Sequence, residues 1–188
     1  MIISDRANFD LAKRLRAEGA SLGEVFSFIS GLYFRGKLAY AQAFADVPPD
    51  VAGVLVITAG GGLVPAETPV TIDMLKQISA VDVDAANPHY RRPLERDAKE
   101  LAKRAGTGCE IVLLGSIATA KYVEPLLGIF GERLLFPAEF VGRGDMSRGG
   151  LMLRCVRSGE QLTYVPVMNA VRHGPRPPKL ARLPKHQS

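Results

Sequence analysis

The sequence predicts an α/β fold, a three-layer sandwich in which helices flank a mostly parallel central sheet. Apolar runs at 54–57, 110–115 and 133–136 are expected to be strands, and a run without a polar face is typical of a strand covered on both sides. Segments with helical spacing separate these runs. Because strand, crossover and strand in alternation favour parallel pairing, we expect the three runs to share one sheet.

The overall composition is that of a globular protein. The chain has 188 residues, of which 47% are hydrophobic and 23% are charged, enough for one domain with a sizeable core. Its apolar runs are shorter than the roughly 20 residues that span a bilayer, and the N-terminus lacks the pattern of a secretory signal. We therefore expect a cytoplasmic protein that makes no membrane contact.

The cysteines and histidines form no metal motif in the sequence. Cys109 and Cys155 each lie in an apolar run, far apart from one another, and are expected to be buried thiols. The separation of His89, His173 and His186 argues against a zinc site. The sequence indicates no cofactor.

Positive charge is concentrated at the C-terminus. Five of the 24 basic side chains and none of the 19 acidic ones follow residue 166, so the net charge of +5 belongs to this end. We predict a single domain at 1–166, with a helical N-terminal part at 1–46, and a basic, proline-containing tail at 167–188. Such a tail is typical of a polyanion contact or of a solubilising terminus. Its basic residues are Arg172, Arg176, Lys179, Arg182 and Lys185.

The first 45 residues are expected to be mostly helical. Ser4 can cap a helix over 4–18. Ser21 and Glu24 then have the spacing of a capping box before an apolar run. A longer segment with helical spacing follows at 32–45.

Three glycines, Gly60, Gly61 and Gly62, follow the strand predicted at 54–57. Glycines in this position permit a ligand to approach the backbone closely. The stretch is neither a dinucleotide-binding motif nor a P-loop, because the glycine spacing and the Lys-Ser or Lys-Thr pair are missing. A tight turn without a ligand is the alternative interpretation.

The middle of the chain alternates helix and strand. Helices are predicted at 71–79, where Thr71 can act as the cap, and at 94–105. The second apolar strand is followed by Ser116 and Thr119, and both hydroxyls can cap the next helix. The Ser116 hydroxyl is also a candidate phosphate contact.

The part of the chain after residue 144 has two interpretations. In one, Asp145 or Ser147 caps a helix, and the chain ends in a last strand at 162–167. In the other, residues 151–156 pair with that strand as a hairpin. Two adjacent glycines penalise a helix here, whereas the alternation along the rest of the chain favours it.

A candidate ligand site follows from the predicted topology. In parallel sheets, ligands bind beyond the carboxyl ends of the strands, and three loops occupy that position: 60–62, 116–119 and 137–150. The third loop is rich in glycine and carries two arginines, whose planar guanidinium groups suit phosphate. We predict ligand contacts from Gly60, Gly61, Gly62, Ser116, Thr119, Arg143, Ser147 and Arg148.

Two carboxylates of the third loop, Asp145 and Glu139, are the candidate catalytic residues. Either can act as a general base or stabilise a cationic transition state. In the alternative interpretation Asp145 and Ser147 only cap a helix and form a turn, and the neighbouring arginines are solvated or paired with Asp145.

Three stretches resemble a group of uncharacterised bacterial and phage α/β domains that are distantly similar to the uracil-DNA-glycosylase-like fold. They are LYFRGKLAYAQAF at 32–44, VLVITAGGGLVPAETPVT at 54–71 and LLGSIATAKYVEPLLGIFGERLLFPAEFVGRG at 113–144, together about half of the chain. The glycosylase motifs that activate water with an aspartate or clamp the base with a histidine are not recognisable. The resemblance implies a nucleobase, nucleotide or nucleic-acid ligand.

These observations leave two hypotheses for the function. The first is an enzyme that acts on a nucleotide or nucleoside at the N-glycosidic bond, with Asp145 as acid or base and Arg143 and Arg148 holding phosphate. The second is a non-catalytic module that binds a nucleic acid or another polyanion through the basic tail.

Overall fold

The computed structural model describes residues 2–4 and 6–180. This part of the chain contains six α-helices and seven short strands. The helices are α1 (Asp10–Ala17), α2 (Leu22–Phe44), α3 (Ile72–Ser79), α4 (Pro88–Ala105), α5 (Ala120–Phe130) and α6 (Asp145–Ser158). The strands are β1 (Ala20–Ser21), β2 (Leu55–Thr58), β3 (Gly62–Pro65), β4 (Pro69–Val70), β5 (Ile111–Val112), β6 (Leu134–Pro137) and β7 (Tyr164–Pro166).

The prediction of a three-layer sandwich with a mostly parallel central sheet is wrong. The strands form three small sheets, β1 with β4, β2 with β3, and β5 with β6 and β7. Three of the four pairings are antiparallel, and the parallel one joins β5 to β6 over two residues. The protein is therefore a mixed helix-and-strand fold in which helices supply most of the packing surface.

Local pairing explains why the first apolar run does not join the others. Gly60 and Gly62 have φ angles of +88° and +75°, a region that only glycine adopts at little cost. They reverse the chain, so that the backbone of β2 pairs with β3, with Val56 opposite Val64. Only alternate residues of β2 are buried, which is the pattern of a hairpin strand packed on one face.

The three-stranded sheet lies at the centre of the C-terminal half. All four residues of β6 are buried. The strand β5 pairs with it in parallel, with Ile111 opposite Leu134, and β7 pairs on the other side, with Val165 opposite Phe136. The backbone then continues into the core, because Val167 is fully buried and its amide donates to the Leu134 carbonyl at 2.8 Å.

Side-chain caps decide several helix starts. The Ser21 hydroxyl accepts from the Glu24 amide at 3.2 Å at the start of α2, as the capping box predicts. The Thr71 hydroxyl accepts from the Met74 amide at 3.3 Å and begins α3. The first helix is shorter than predicted, since α1 begins after Phe9 rather than at Ser4.

The helix α4 begins earlier than the sequence predicts. The predicted helix starts at residue 94, but the Asn87 side chain accepts from the His89 amide at 3.0 Å and Pro88 takes the first helical position. Proline is well tolerated there, because the first amides of a helix have no intrahelical partner. The helix ends before Gly106, whose φ is +72°.

The helical interpretation of the segment after residue 144 is the one found in the structure, and its glycines explain the packing. A Cβ on Gly149 would lie 2.7 Å from the Leu32 carbonyl oxygen, and a Cβ on Gly36 would lie 2.7 Å from the Gly149 carbonyl oxygen. The helices α2 and α6 therefore cross with their backbones in contact. The helix α2 also kinks at Gly31, where φ is +62° and ψ is −141°.

The residues 170–180, here called the C-terminal segment, form no helix or strand but lie against the domain. Ala170 packs on the core that contains Tyr90 and Phe136. Further along, a Cβ on Gly142 would overlap the Pro175 carbonyl oxygen, and a Cβ on Gly150 would lie 3.6 Å from Leu180. None of the helices in the described ranges combines the length and apolar character that a bilayer span requires.

Candidate functional site: a basic cleft beside β6 and α6

A narrow cleft lies beside the end of β6 and is open to solvent. The space that its walls enclose is about 10 Å³, room for about one water molecule. Four parts of the chain form its walls: the loop after β5, the strand β6 with the turn that follows, the helix α6 and the C-terminal segment. The lining residues are Gly115, Ile117, Ala118, Phe136, Phe140, Val141, Arg148 and Arg172. We call this the basic cleft.

Arg148 is the cation held most firmly in the cleft. Its side chain is only 14% exposed. Its Nε and Nη2 donate to the Phe140 carbonyl oxygen at 3.2 and 3.0 Å, and the guanidinium lies 5.4 Å from the centroid of the Phe140 ring. The Nη1 atom lies 3.5 Å from the Asp145 carboxylate. These contacts fix the orientation of the guanidinium plane.

Lys37 of α2 is a second, half-buried cation near Arg148. Its Nζ lies 4.0 Å from the centroid of the Tyr33 ring. Burial lowers the pKa of Lys37 to about 8; the Asp145 carboxylate opposes this change, while the charges of Arg148 and Lys121 lower the pKa further. The ammonium group thus lies close enough to two other cations for them to destabilise its charged form.

Tyr33 connects the helix α2 to the same group of charges. Burial raises the pKa of the Tyr33 phenol, and the guanidinium of Arg148 opposes that rise. Because α2 and α6 touch through glycine, the side chains beside the crossing, Tyr33 and Arg148, are brought together. The helix crossing therefore builds one side of the candidate site.

The start of α5, with Lys121 and Tyr122, lies beside the cleft. The Lys121 Nζ lies 5.0 Å from the centroid of the Tyr122 ring, and a Cβ on Gly115, which lines the cleft, would lie 3.8 Å from Tyr122. The helix is held there by Tyr90, whose hydroxyl donates to the Lys121 carbonyl oxygen at 2.9 Å.

Four basic side chains thus come from four separate parts of the chain, and we call them the cationic cluster. Within the described residues, Asp145 is the carboxylate whose charge acts on both Lys37 and Tyr33. It is itself 66% exposed, so its charge is weakened by solvent. The cationic cluster consists of Lys37, Lys121, Arg148 and Arg172.

Two of the three predicted ligand loops meet at the cleft. The Ser116 hydroxyl accepts from the Ala118 amide at 3.3 Å, which shapes the loop that forms one wall. Thr119 is exposed at the cap position of α5 and makes no side-chain cap bond. On the opposite loop, Arg143 donates to the Glu139 carbonyl oxygen at 3.0 Å and to the Ser147 hydroxyl at 3.2 Å.

The glycine turn at 60–62 packs elsewhere. A Cβ on Gly60 would lie 2.9 Å from Val81, and one on Gly61 would lie 2.5 Å from the Thr58 hydroxyl. A Cβ on Gly62 would overlap Asp97 of α4, whose carboxylate accepts from the Leu63 amide at 3.0 Å. Gly62 thus lets the β2–β3 hairpin pack closely against α4. None of the three glycines lines the basic cleft.

The two candidate catalytic carboxylates have different surroundings. Asp145 lies in the first turn of α6, after Gly144 as cap, with its side chain mostly exposed. Glu139 instead accepts from the Thr163 amide at 2.9 Å, and its buried Oε2 has no hydrogen-bond partner among the described residues. Burial, with the Glu139 charge as a smaller cause, raises the pKa of Cys155 on the neighbouring face of α6.

Several residues at the site could not be predicted from the sequence. Tyr33 and Lys37 lie four residues apart, the spacing of neighbours on one helix face, but nothing in the sequence says which partner that face meets. Arg172 was predicted only as part of a basic tail, and it lines the cleft. Arg176 and Lys179 are exposed on the same segment. The other two basic residues of the predicted tail, Arg182 and Lys185, lie outside the described residues.

Comparisons with protein-family models, with curated proteins and with solved structures found no match, so the functional argument depends on the residues themselves.

Proposed function

We propose that the protein binds a phosphate-bearing ligand, a nucleotide or a nucleic acid, at the mouth of the basic cleft. The observation that carries this proposal is that Arg148 and Arg172 line the cleft while the charges of Arg148 and Lys121 act on the half-buried Lys37. Asp145, the carboxylate that opposes them at Lys37, is mostly exposed.

Electrostatics support the proposal. Burial is the main cause of the lowered pKa of Lys37, and the charges of Arg148 and Lys121 lower it further, so a bound anion would favour the charged amine. A phosphate group carries the compensating negative charge and several acceptor oxygens. The fixed guanidinium of Arg148 suits such oxygens, because its planar fork can donate two hydrogen bonds to one phosphate.

Calorimetric titration with inorganic phosphate, mononucleotides and short oligonucleotides tests the proposal. We expect Lys37→Met and Lys121→Ala each to weaken binding about fivefold to tenfold, which corresponds to roughly 1 kcal/mol or slightly more for a charge-assisted contact. Lys103→Ala is the matched control, because Lys103 is an exposed lysine of α4 and its loss should leave affinity unchanged. Equal losses in the control and in the cleft variants would contradict the proposal.

Catalysis at an N-glycosidic bond is a second proposal for the same cleft. It is supported by the position of Asp145, which lies at the first turn of α6 within 3.5 Å of Arg148. A panel of nucleosides and nucleotides should then be hydrolysed by the protein, and Asp145→Asn should abolish the turnover. Turnover that survives this substitution would exclude Asp145 as the acid or base.

Binding of nucleic acid along the C-terminal segment is the non-catalytic alternative. Arg176 and Lys179 continue, exposed, along the segment whose Arg172 lines the cleft. If they contact backbone phosphates, removing both should lower the slope of log affinity against log salt by about 2 units. An unchanged slope would restrict binding to the cleft itself.

A further inference from the structure

Lys37 of α2 is a half-buried amine without a hydrogen-bond acceptor. Its Nζ lies over the ring of Tyr33, 4.0 Å from the centroid. Within the described ranges, no oxygen accepts a hydrogen bond from this nitrogen and no carboxylate pairs with it. The face of the ring takes the place of water on one side of the amine but cannot replace the hydrogen bonds of water. The ammonium form of Lys37 is therefore poorly compensated.

The helix crossing holds this amine in place. Gly36, the preceding residue, is buried, and a Cβ there would lie 2.7 Å from the Gly149 carbonyl oxygen of α6. Because the two backbones touch, the backbone of Lys37 cannot move away from α6 unless the crossing opens. The residue is still partly exposed, which gives a small molecule access to its side chain.

The surrounding charges act on the protonation of the same amine. Burial lowers the pKa of Lys37 most, to about 8. The Asp145 carboxylate opposes this change, while the charges of Arg148 and Lys121 lower the pKa further. At pH 7 an amine with a pKa of about 8 has a neutral fraction roughly 200 times that of an ordinary lysine. The neutral form carries the lone pair that makes a lysine nucleophilic.

We propose that Lys37 is a nucleophilic amine that forms an imine with small, uncharged aldehydes, and that an anion bound beside it suppresses this reaction. Imine formation needs the neutral amine and no bound phosphate, so it goes beyond the proposed function. Suppression by an anion rests on the proposed function.

The reaction is a condensation that needs no further reactant. The lone pair of the Lys37 nitrogen forms a bond to the carbonyl carbon, and a proton passes from the nitrogen to the carbonyl oxygen. The resulting carbinolamine then loses water: its hydroxyl leaves with the remaining proton of the nitrogen, and a C=N bond is left. Addition of water reverses both steps and releases the aldehyde.

The class of the carbonyl compound follows from charge and space. A negative charge beside Lys37 favours the ammonium form, which has no lone pair, so an acidic carbonyl compound would lower the reactivity of the amine it needs. Lys37 does not line the basic cleft, and the cleft encloses only about 10 Å³. A small aldehyde, whose carbonyl carbon is less hindered than that of a ketone, can react at the surface without an enclosing pocket.

Reductive alkylation at pH 7 with propionaldehyde and sodium cyanoborohydride tests the inference, because the hydride converts the imine into a stable secondary amine. Peptide mass spectrometry then gives the rate of modification at each lysine. Lys103, an exposed lysine of α4, is the matched control within the same chain. A less basic amine is also a weaker nucleophile, so we expect Lys37 to react at least about tenfold faster than Lys103 rather than by the full ratio of neutral fractions.

Two charge variants should change the rate at Lys37 in opposite directions. Lys121→Ala removes a charge that lowers the pKa of Lys37 and should slow the modification about twofold. Asp145→Asn removes the carboxylate that favours the ammonium form and should accelerate it by about the same factor. The rate at Lys103 should stay unchanged in both. A lysine that reacts only because it is accessible would respond to neither substitution.

Inorganic phosphate separates this inference from the proposed function. Added phosphate should slow the modification of Lys37, whereas sodium chloride at equal ionic strength should not. Modification of Lys37 no faster than that of Lys103 would overturn the imine inference, and calorimetric titration would still decide the proposed function. Fast modification that phosphate does not slow would overturn the suppression and contradict phosphate binding beside Lys37, while imine formation would stand. The comparison of the two lysines uses the chain without substitutions, so it does not depend on a variant that folds.

Discussion

Gly149→Ala is expected to destabilise the protein, although alanine forms helices better than glycine does. In a helix interior this exchange is favourable by up to about 1 kcal/mol. At Gly149, however, the new Cβ would lie 2.7 Å from the Leu32 carbonyl oxygen and 2.9 Å from the Tyr33 Cα. Both are backbone atoms of α2, so the contact can be relieved only if the two helices separate.

The size of the effect follows from these two opposing contributions. Overpacking a well-packed interface costs about 1–3 kcal/mol, and rigid backbone atoms put this site in the upper half of that range. After the gain in helix propensity, the expected net loss is about 1–2 kcal/mol. In a chain of this length 1 kcal/mol corresponds to a shift of about 2–4 °C in Tm, so Tm should fall by about 2–8 °C.

Gly128→Ala is the control, and its effect should have the opposite sign. Gly128 is an exposed glycine of α5 with no atom within 4 Å of its missing Cβ, so only the helix propensity changes. Thermal and urea unfolding followed by circular dichroism should show a rise in Tm of up to about 4 °C. If Gly149→Ala were as stable as the unmodified protein, the backbone contact between α2 and α6 would be refuted.

Three further predictions concern the charges and the core. Burial lowers the pKa of Lys37 to about 8, and a bound phosphate would favour the charged amine. Phosphate affinity should therefore fall up to about tenfold between pH 7 and pH 9 in calorimetric titration. Lys37→Met should remove this pH dependence. Asp145→Asn should tighten phosphate binding by up to about fivefold in calorimetry, since it removes a partly screened negative charge beside Arg148. Tyr40→Phe should lower the free energy of unfolding by about 1–3 kcal/mol in urea denaturation. The reason is that the buried Leu162 amide donates to the Tyr40 hydroxyl at 2.8 Å and would lose this acceptor. A loss below about 0.5 kcal/mol, the size typical of a surface substitution, would mean that the amide finds another partner.

Some of the helix caps could be predicted because each depends on a few neighbouring residues, whereas the side-chain caps expected at Ser4, at Thr119 and at Asp145 or Ser147 are not formed. The hydroxyls of Ser21 and Thr71 accept from amides three residues ahead, and Gly106 ends α4 with a positive φ. These interactions close within one turn, so sequence spacing is sufficient to specify them. The third strand was likewise confirmed, as an apolar run that is buried along its whole length in β6.

Strand pairing could not be predicted from the same evidence. A short apolar run forms a strand with either neighbour, and the choice depends on which partner the turn brings near. At 60–62 the glycines close a hairpin, and β2 is therefore separated from β5 and β6. The predicted convergence of three loops assumed a shared parallel sheet, and only the loops around Ser116 and Arg148 meet.

What the sequence determined by itself is the main helices, the apolar strands β2, β5 and β6, the basic character of the C-terminal end and the choice of an arginine- and glycine-rich loop as a candidate site. The tertiary structure alone decided which distant residues join it. Lys37 reaches the group because Gly36 and Gly149 let α2 and α6 touch, and Arg172 reaches it because Gly142 admits the C-terminal segment. Each of these contacts needs a glycine, because a Cβ would collide with the backbone of the other segment. Which backbone lies there is decided only once the segments have packed.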